Sequence, residues 1–103
     1  MPRGAAWEIV FRFYSALHLM EGYLRAKGDD WASTDHGKRK QQIKAAPELK
    51  QGDAAKRFFD LQDMSVQVRY EPDFSASDED FKNAREWATR ISNVVAPKLK
   101  AKL

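Results

Sequence analysis

The chain has no cysteine, and it has only two histidines among its 103 residues. Without cysteine, disulfide bonds and thiolate metal sites are excluded, and nothing in the residue usage argues for secretion. The histidines, His18 and His36, stand on separate segments without the spacing typical of metal ligands. We therefore expect neither a metal site nor a cofactor.

Long apolar runs are also missing. The first twenty residues combine a basic start with apolar residues, but Glu8, Arg12 and His18 interrupt them. No stretch approaches the roughly 20 apolar residues that span a membrane, and no signal-peptide cleavage site is evident. We expect a cytoplasmic protein that does not enter a membrane.

The short motifs of common enzyme classes are absent as well. The sequence contains no glycine-rich phosphate loop, no nucleophile elbow and no HExxH pattern. The acidic residues of segment 71–80 stand at the start of a predicted helix, where helix capping explains them. A hydrolase that uses two carboxylates is therefore unsupported, and enzymatic activity of any kind is uncertain.

What the chain does contain is the composition of one globular domain over residues 1–103. Hydrophobic residues make up 43% and charged residues 32% of the sequence, which is too apolar for a disordered protein. A chain of this length can bury a modest core without disulfides.

Apolar periodicity predicts four helices. The first covers about residues 5–27, and Gly28 is a suitable residue to end it. The second, residues 36–46, is basic and poor in apolar residues, so we expect it at the surface.

The third predicted helix covers residues 54–71 after a capping Asp53. The fourth begins at Ser77, where Asp80 completes a capping box, and Pro97 ends it or kinks its last turn. The fold class expected is all-α, an antiparallel four-helix bundle with up-down topology.

Charge is unevenly distributed although the net charge is only +3. Segment 38–50 is basic, with Lys38, Arg39, Lys40, Lys44 and Lys50, whereas segment 71–80 is acidic. A basic segment can attract a phosphate backbone, and it can equally be a solvated helix face.

Three stretches resemble the small bacterial HEPN-like proteins (higher eukaryotes and prokaryotes nucleotide-binding). They are "FYSALHLMEGYLRAKG", "STDHGKRKQQI" and "FFDLQDMSVQVRYE". The matching residues are Tyr14, Ala16 and His18, then Lys27 and Gly28, then His36, and finally Arg69 with Tyr70. The resemblance implies a helical bundle, often dimeric, that takes part in RNA or nucleotide transactions, in many relatives within toxin–antitoxin or phage-defence systems.

The chain departs from the catalytic members of that superfamily. Those members carry Arg, four to six residues and then His near the last core helix, and they cleave RNA without metal; here the last helix has Arg85 and Arg90 but no histidine. Arg12 and His18 have the spacing, but they lie in the first helix and about 120° apart around it.

The resemblance therefore favours a non-catalytic module that binds RNA, a nucleotide or a protein partner. One alternative is a metal-independent endoribonuclease toxin in which His18 serves as acid or base and Arg12 stabilises charge on the phosphate. Another alternative is a structural dimerisation module.

Six residues are candidates for binding. They are His18, His36, Lys38, Arg39, Arg69 and Tyr70. His18 stands at the border of the apolar arc, and we expect it to be packed and hydrogen-bonded there, with a place in a ligand pocket as the alternative. Arg69 and Tyr70 can stack on a base or pack within the bundle.

Apolar residues on the polar side of the first helix predict a homodimer. Phe11 and Leu19 fall among its polar positions, and Trp7 lies at its edge. Pairing of two copies would cover this surface.

Overall fold

The structure is a computed structural model that describes residues 3–28 and 36–103. Helix α1 covers Arg3–Ala26, α2 covers His36–Ala45, α3 covers Ala54–Tyr70 and α4 covers Asp78–Lys102. A 3₁₀ segment, Pro47–Asp53, connects α2 to α3. The described residues contain no strand, so the all-α class is confirmed.

Helices α1 and α4 pack side by side and run in the same direction. Near their beginnings, Arg85 Nη2 lies 3.3 Å from Glu8 Oε1. Near their ends, a Cβ atom added to Gly22 would lie 3.5 Å from Leu99 Cδ2. The separation from Glu8 to Gly22 along α1 equals that from Arg85 to Leu99 along α4. The two helices therefore stay in register between these contacts.

Helix α3 runs antiparallel to α4 and also packs on α1. The guanidinium of Arg57 lies 5.7 Å from the ring centre of Trp87, and Lys98 Nζ donates to Gln51 Oε1 at 2.8 Å just before α3. The three long helices share the largest buried side chains, which include Ile9, Met20, Leu24, Phe58, Leu61, Ile91 and Val95. These helices therefore make the core.

The segment 36–53, comprising α2 and the 3₁₀ turns, lies beside this core. Its buried apolar side chains are Ile43, Ala46 and Leu49. Because α2 contributes so little apolar surface, the up-down packing of four comparable helices is not confirmed, and α2 is a surface helix as its composition predicts.

The predicted helix ends are partly right. Ser77 and Asp80 form the expected capping box, with Asp80 N–H donating to Ser77 Oγ at 3.1 Å and Ser77 N–H donating to Asp80 Oδ2 at 2.9 Å. The capping role of Asp53 is wrong, because its backbone is left-handed (φ 59°) and its side chain accepts no capping hydrogen bond. Pro97 lies inside α4, which continues to Lys102.

One apolar residue of α3 is exposed. Val66 retains 40% of its surface, whereas Met64 and Ser65 are buried. The buried positions of α3 recur every three or four residues, and Val66 falls outside that spacing. No helix within the described ranges is long and apolar enough to cross a membrane.

Candidate nucleic-acid interface

Arg69 lies between two tyrosines at the end of α3. Its guanidinium carbon is 5.5 Å from the ring centre of Tyr14 and 5.2 Å from that of Tyr70. Arg69 Nη1 donates to the Tyr14 hydroxyl at 2.8 Å, and Arg69 Nε donates to the carbonyl of Ser65 at 3.3 Å. Two aromatic rings and one planar cation thus form a single cluster, the Tyr14–Arg69–Tyr70 cluster.

Local sequence explains the position of Arg69. It stands in the last turn of α3, where a cation interacts favourably with the helix dipole, and Ser65 is its neighbour one turn earlier. Side chains on a helix lean toward its N-terminus, which brings the guanidinium back over that turn. Two directed hydrogen bonds then fix the guanidinium plane.

The cluster is open to solvent. Tyr70 is 70% exposed and Tyr14 is 39% exposed. Large aromatic residues are usually more deeply buried in folded proteins. Exposed rings and arginine planes are the groups on which proteins stack unpaired bases. The expectation that Arg69 and Tyr70 adjoin a stacking surface stays a prediction, and Tyr14 joins them from a helix that the sequence did not connect to them.

His18 lies one turn after Tyr14 on α1, about 6 Å farther along the axis. Its side chain is exposed, and no described residue hydrogen-bonds to its imidazole. The expectation of a packed histidine with a satisfied hydrogen bond is therefore wrong.

Arg39 is the residue that attaches α2 to α1. Its side chain is 4% exposed, and Nη1 lies 2.9 Å from Glu21 Oε1, whose side chain is 16% exposed. A buried cation so paired is part of the structure, so Arg39 does not belong to a solvated basic face. Its chain neighbours Lys38 and Lys40 are exposed.

The attachment of α2 places its lysines on the same side of α1 as the tyrosine cluster. Glu21, which holds Arg39, follows Tyr14 by seven residues, so the two lie within about 20° of each other around the helix and about 10 Å apart along it. His18 lies between them along the axis. Tyr14, His18 and Glu21, where α2 is attached, thus follow one another along one side of α1.

One candidate binding residue falls partly outside what the structure describes. The side chain of His36 is not described, although its backbone begins α2.

Arg12 lines a groove between α1 and α4, which we name the α1–α4 groove. Its volume is about 770 Å³, and its lining consists of Glu8, Phe11, Arg12, Ser15, Ala16, Leu19, Phe81, Arg85, Ala88 and Ser92. Because His18 does not line this groove, the structure does not bring together the two residues that the nuclease alternative requires. Sequence reasoning missed the groove, since it depends on the register of two helices far apart in the chain.

Glu48 connects the 3₁₀ segment to the end of α1. The hydroxyl of Tyr23 donates to Glu48 Oε2 at 2.6 Å, and Lys27 Nζ lies 3.0 Å from the same oxygen. The hydrogen bond from Tyr23 is the main cause that lowers the pKa of Glu48 to about 2, and Lys27 adds to it against the opposing effect of burial. Segment 36–53 is thus held to α1 by two carboxylates, Glu21 and Glu48.

Comparison of the chain with models of protein families, with curated proteins and with solved structures found no match. The functional argument therefore depends on the chain's own residues.

Proposed function

We propose that this protein is a non-catalytic helical module that binds single-stranded RNA or a nucleotide. The observation that carries the proposal is the Tyr14–Arg69–Tyr70 cluster, in which a guanidinium lies between two partly exposed rings. Such a cluster offers flat surfaces for a base and needs no sequence-specific hydrogen bonds, because every base has a π-face.

The α2 lysines supply the second half of the proposed surface. Lys38 and Lys40 are exposed on a helix that carries no acidic residue. Arg39, buried against Glu21, fixes that helix on the same side of α1 as the stacking cluster. A bound strand would place a base on the rings and its phosphates toward the lysines, with His18 between them.

The resemblance to HEPN-like proteins belongs to the same proposal. It would place the protein in the cytoplasm, as a homodimer, within a toxin–antitoxin or phage-defence system. A binding role without cleavage agrees with the positions of Arg12 and His18, which do not share a site.

Base stacking on the Tyr14–Arg69–Tyr70 cluster is tested by fluorescence anisotropy with a fluorescein-labelled single-stranded 12-mer RNA. Base stacking is worth about 1–3 kcal/mol per base, so Tyr70→Ala should weaken binding roughly five- to 150-fold. Its melting temperature should stay unchanged, because the ring is 70% exposed. The control is Leu103→Ala, which removes an apolar side chain that is 94% exposed after the end of α4 and should leave RNA binding unchanged.

The phosphate half is tested by charge reversal. Lys38→Glu with Lys40→Glu should reduce the magnitude of the salt slope of log Kd by about 1.4, since each phosphate contact on a single strand contributes roughly 0.7. The matched control is Lys56→Glu with Lys82→Glu, which changes the net charge equally at exposed positions of α3 and α4. Equal weakening by both pairs, or a parent protein that binds no RNA, would reject the proposal.

A further inference from the structure

The α1–α4 groove exists because small residues face each other across two parallel helices. Ala16 on α1 and Ala88 on α4 leave the space that larger side chains would fill, while Phe11, Leu19 and Phe81 form apolar walls. The volume of about 770 Å³ lies within the range of roughly 300–1,000 Å³ typical of small-molecule sites. Such sites combine an apolar lining with a few polar groups, as this groove does.

Its polar groups carry a surplus of positive charge. Arg12 and Arg85 share one carboxylate, Glu8, at 3.5 Å and 3.3 Å respectively. Charge-assisted hydrogen bonds usually measure about 2.7–2.9 Å, so neither pairing is close. The Nε atom of Arg12 is buried and has no hydrogen-bond acceptor among the described residues. A second anionic group could therefore bind to these two arginines.

From the apolar walls and the incompletely paired arginines, we propose that the α1–α4 groove binds a small amphiphile with one carboxylate and an apolar chain. The carboxylate accepts hydrogen bonds from Arg12 and Arg85 beside Glu8. The chain lies against Phe11, Leu19 and the alanines. One negative charge on the ligand balances the excess of one positive charge in the groove.

A second copy of the chain fits the groove less well. The exposed side of α1 that would enter it presents Trp7, Phe11, Tyr14 and His18, and no carboxylate. The acids of that helix, Glu8 and Glu21, already pair with arginines of their own chain. The arginines of the groove would gain no anion from such a contact.

The test is isothermal titration calorimetry with decanoate and with decyltrimethylammonium, both below their micellar concentrations. These probes share a ten-carbon chain and differ in the sign of the head group. Decanoate should bind with one molecule per chain, and decyltrimethylammonium should bind at least tenfold more weakly. Equal binding of the two probes would overturn the proposal, because it would show apolar association without recognition of charge.

Two variants locate the binding. Arg85→Gln should weaken decanoate binding at least tenfold. Because the Arg85 side chain is 57% exposed, the variant should still fold. The control is Arg90→Gln on the same helix, where Asp53 is the partner at 3.8 Å; it should bind as the parent does. Ala88→Leu, which fills the groove, should abolish binding while circular dichroism shows an intact helical fold.

The oligomeric state supplies a further outcome. Analytical ultracentrifugation is run on the parent with and without decanoate. If the parent binds no decanoate and sediments as a dimer that Ala88→Leu dissociates, a second copy occupies the groove and the proposal fails. Binding that Arg85→Gln and Arg90→Gln weaken equally would also overturn it.

Discussion

The core of α1, α3 and α4 and the neighbouring segment 36–53 are held in place by different forces. The core buries many large apolar side chains from three long helices. The segment buries three apolar residues and is held largely by polar attachments, among them Arg39 to Glu21, Tyr23 to Glu48 and Lys98 to Gln51. Apolar burial is spread over a whole interface, whereas a polar attachment depends on a few atoms and, for a carboxylate, on pH.

This difference predicts two levels of stability in one small protein. Regions with few buried apolar contacts open locally at a lower free energy than the core does. The lysines proposed to meet phosphates lie on the less stable part, and the Tyr14–Arg69–Tyr70 cluster lies on the core. Binding of a strand to both would therefore stabilise segment 36–53 more than the core.

The largest effect expected comes from the same substitution made in each region. Leu61 on α3 and Leu49 in the 3₁₀ segment are both fully buried, and replacing either with Ala should cost about 2–5 kcal/mol. Leu61→Ala should raise hydrogen exchange throughout α1, α3 and α4 and lower the melting temperature. Leu49→Ala should raise exchange chiefly over residues 36–53. If both variants change exchange in the same way over the whole chain, the two regions unfold as one and the comparison is wrong.

A smaller effect should appear on acidification. Folding lowers the pKa of Glu48 from 4.5 to about 2, so its contribution to the free energy of unfolding is present above pH 4.5 and is lost as the pH falls toward 2. Tyr23→Phe removes the main cause of that shift. It should therefore cost about 1–2 kcal/mol at neutral pH and less near pH 2. Urea denaturation at pH 7, 4 and 2 measures the difference, and an NMR titration of the Glu48 carboxyl in the parent checks the pKa directly.

Hydrogen exchange measured at low pH also distinguishes segment 36–53 from the core helices. Between pH 4.5 and 2, exchange should rise earlier in segment 36–53 than in the core helices. A pKa near 4.5 for Glu48 in the folded parent would show that the Tyr23 hydroxyl does not hydrogen-bond to this carboxylate.

The smallest effect concerns His18, on the outer side of the core. Because the ring is exposed and unpaired among the described residues, His18→Ala should change the free energy of unfolding by no more than about 0.5 kcal/mol. Thermal melts of the parent and the variant measure it. A loss above about 1 kcal/mol would show that the imidazole packs against the protein after all.

Sequence patterns determined most of the helices, because each long helix carries its own apolar periodicity and one carries its own capping box. They did not determine which cation of the run Lys38, Arg39 and Lys40 turns inward. Arg39 shares a face with the buried Ile43 four residues later, which is a weak signal that the sequence does contain. Its partner Glu21 lies 18 residues away, and no local pattern connects them.

The candidate site shows the same limit. Arg69 and Tyr70 stand out because they are adjacent, whereas Tyr14 lies 55 residues from Arg69. The α1–α4 groove likewise depends on parallel packing, which periodicity alone does not predict. Local features were therefore accessible from the sequence, and features made by two distant helices were not.

The parallel course of α1 and α4 has a mechanical consequence. Since α1 begins at one end of the bundle and α4 finishes at the other, a pull between Trp7 and Leu99 would act along the helix axes. Under such a load the helices must slide past each other, so that many side-chain contacts break together. A pull between two positions at the same end, such as Tyr70 and Asp78, would peel α3 from α4 one turn at a time. The direction of loading would then decide how much force the fold resists.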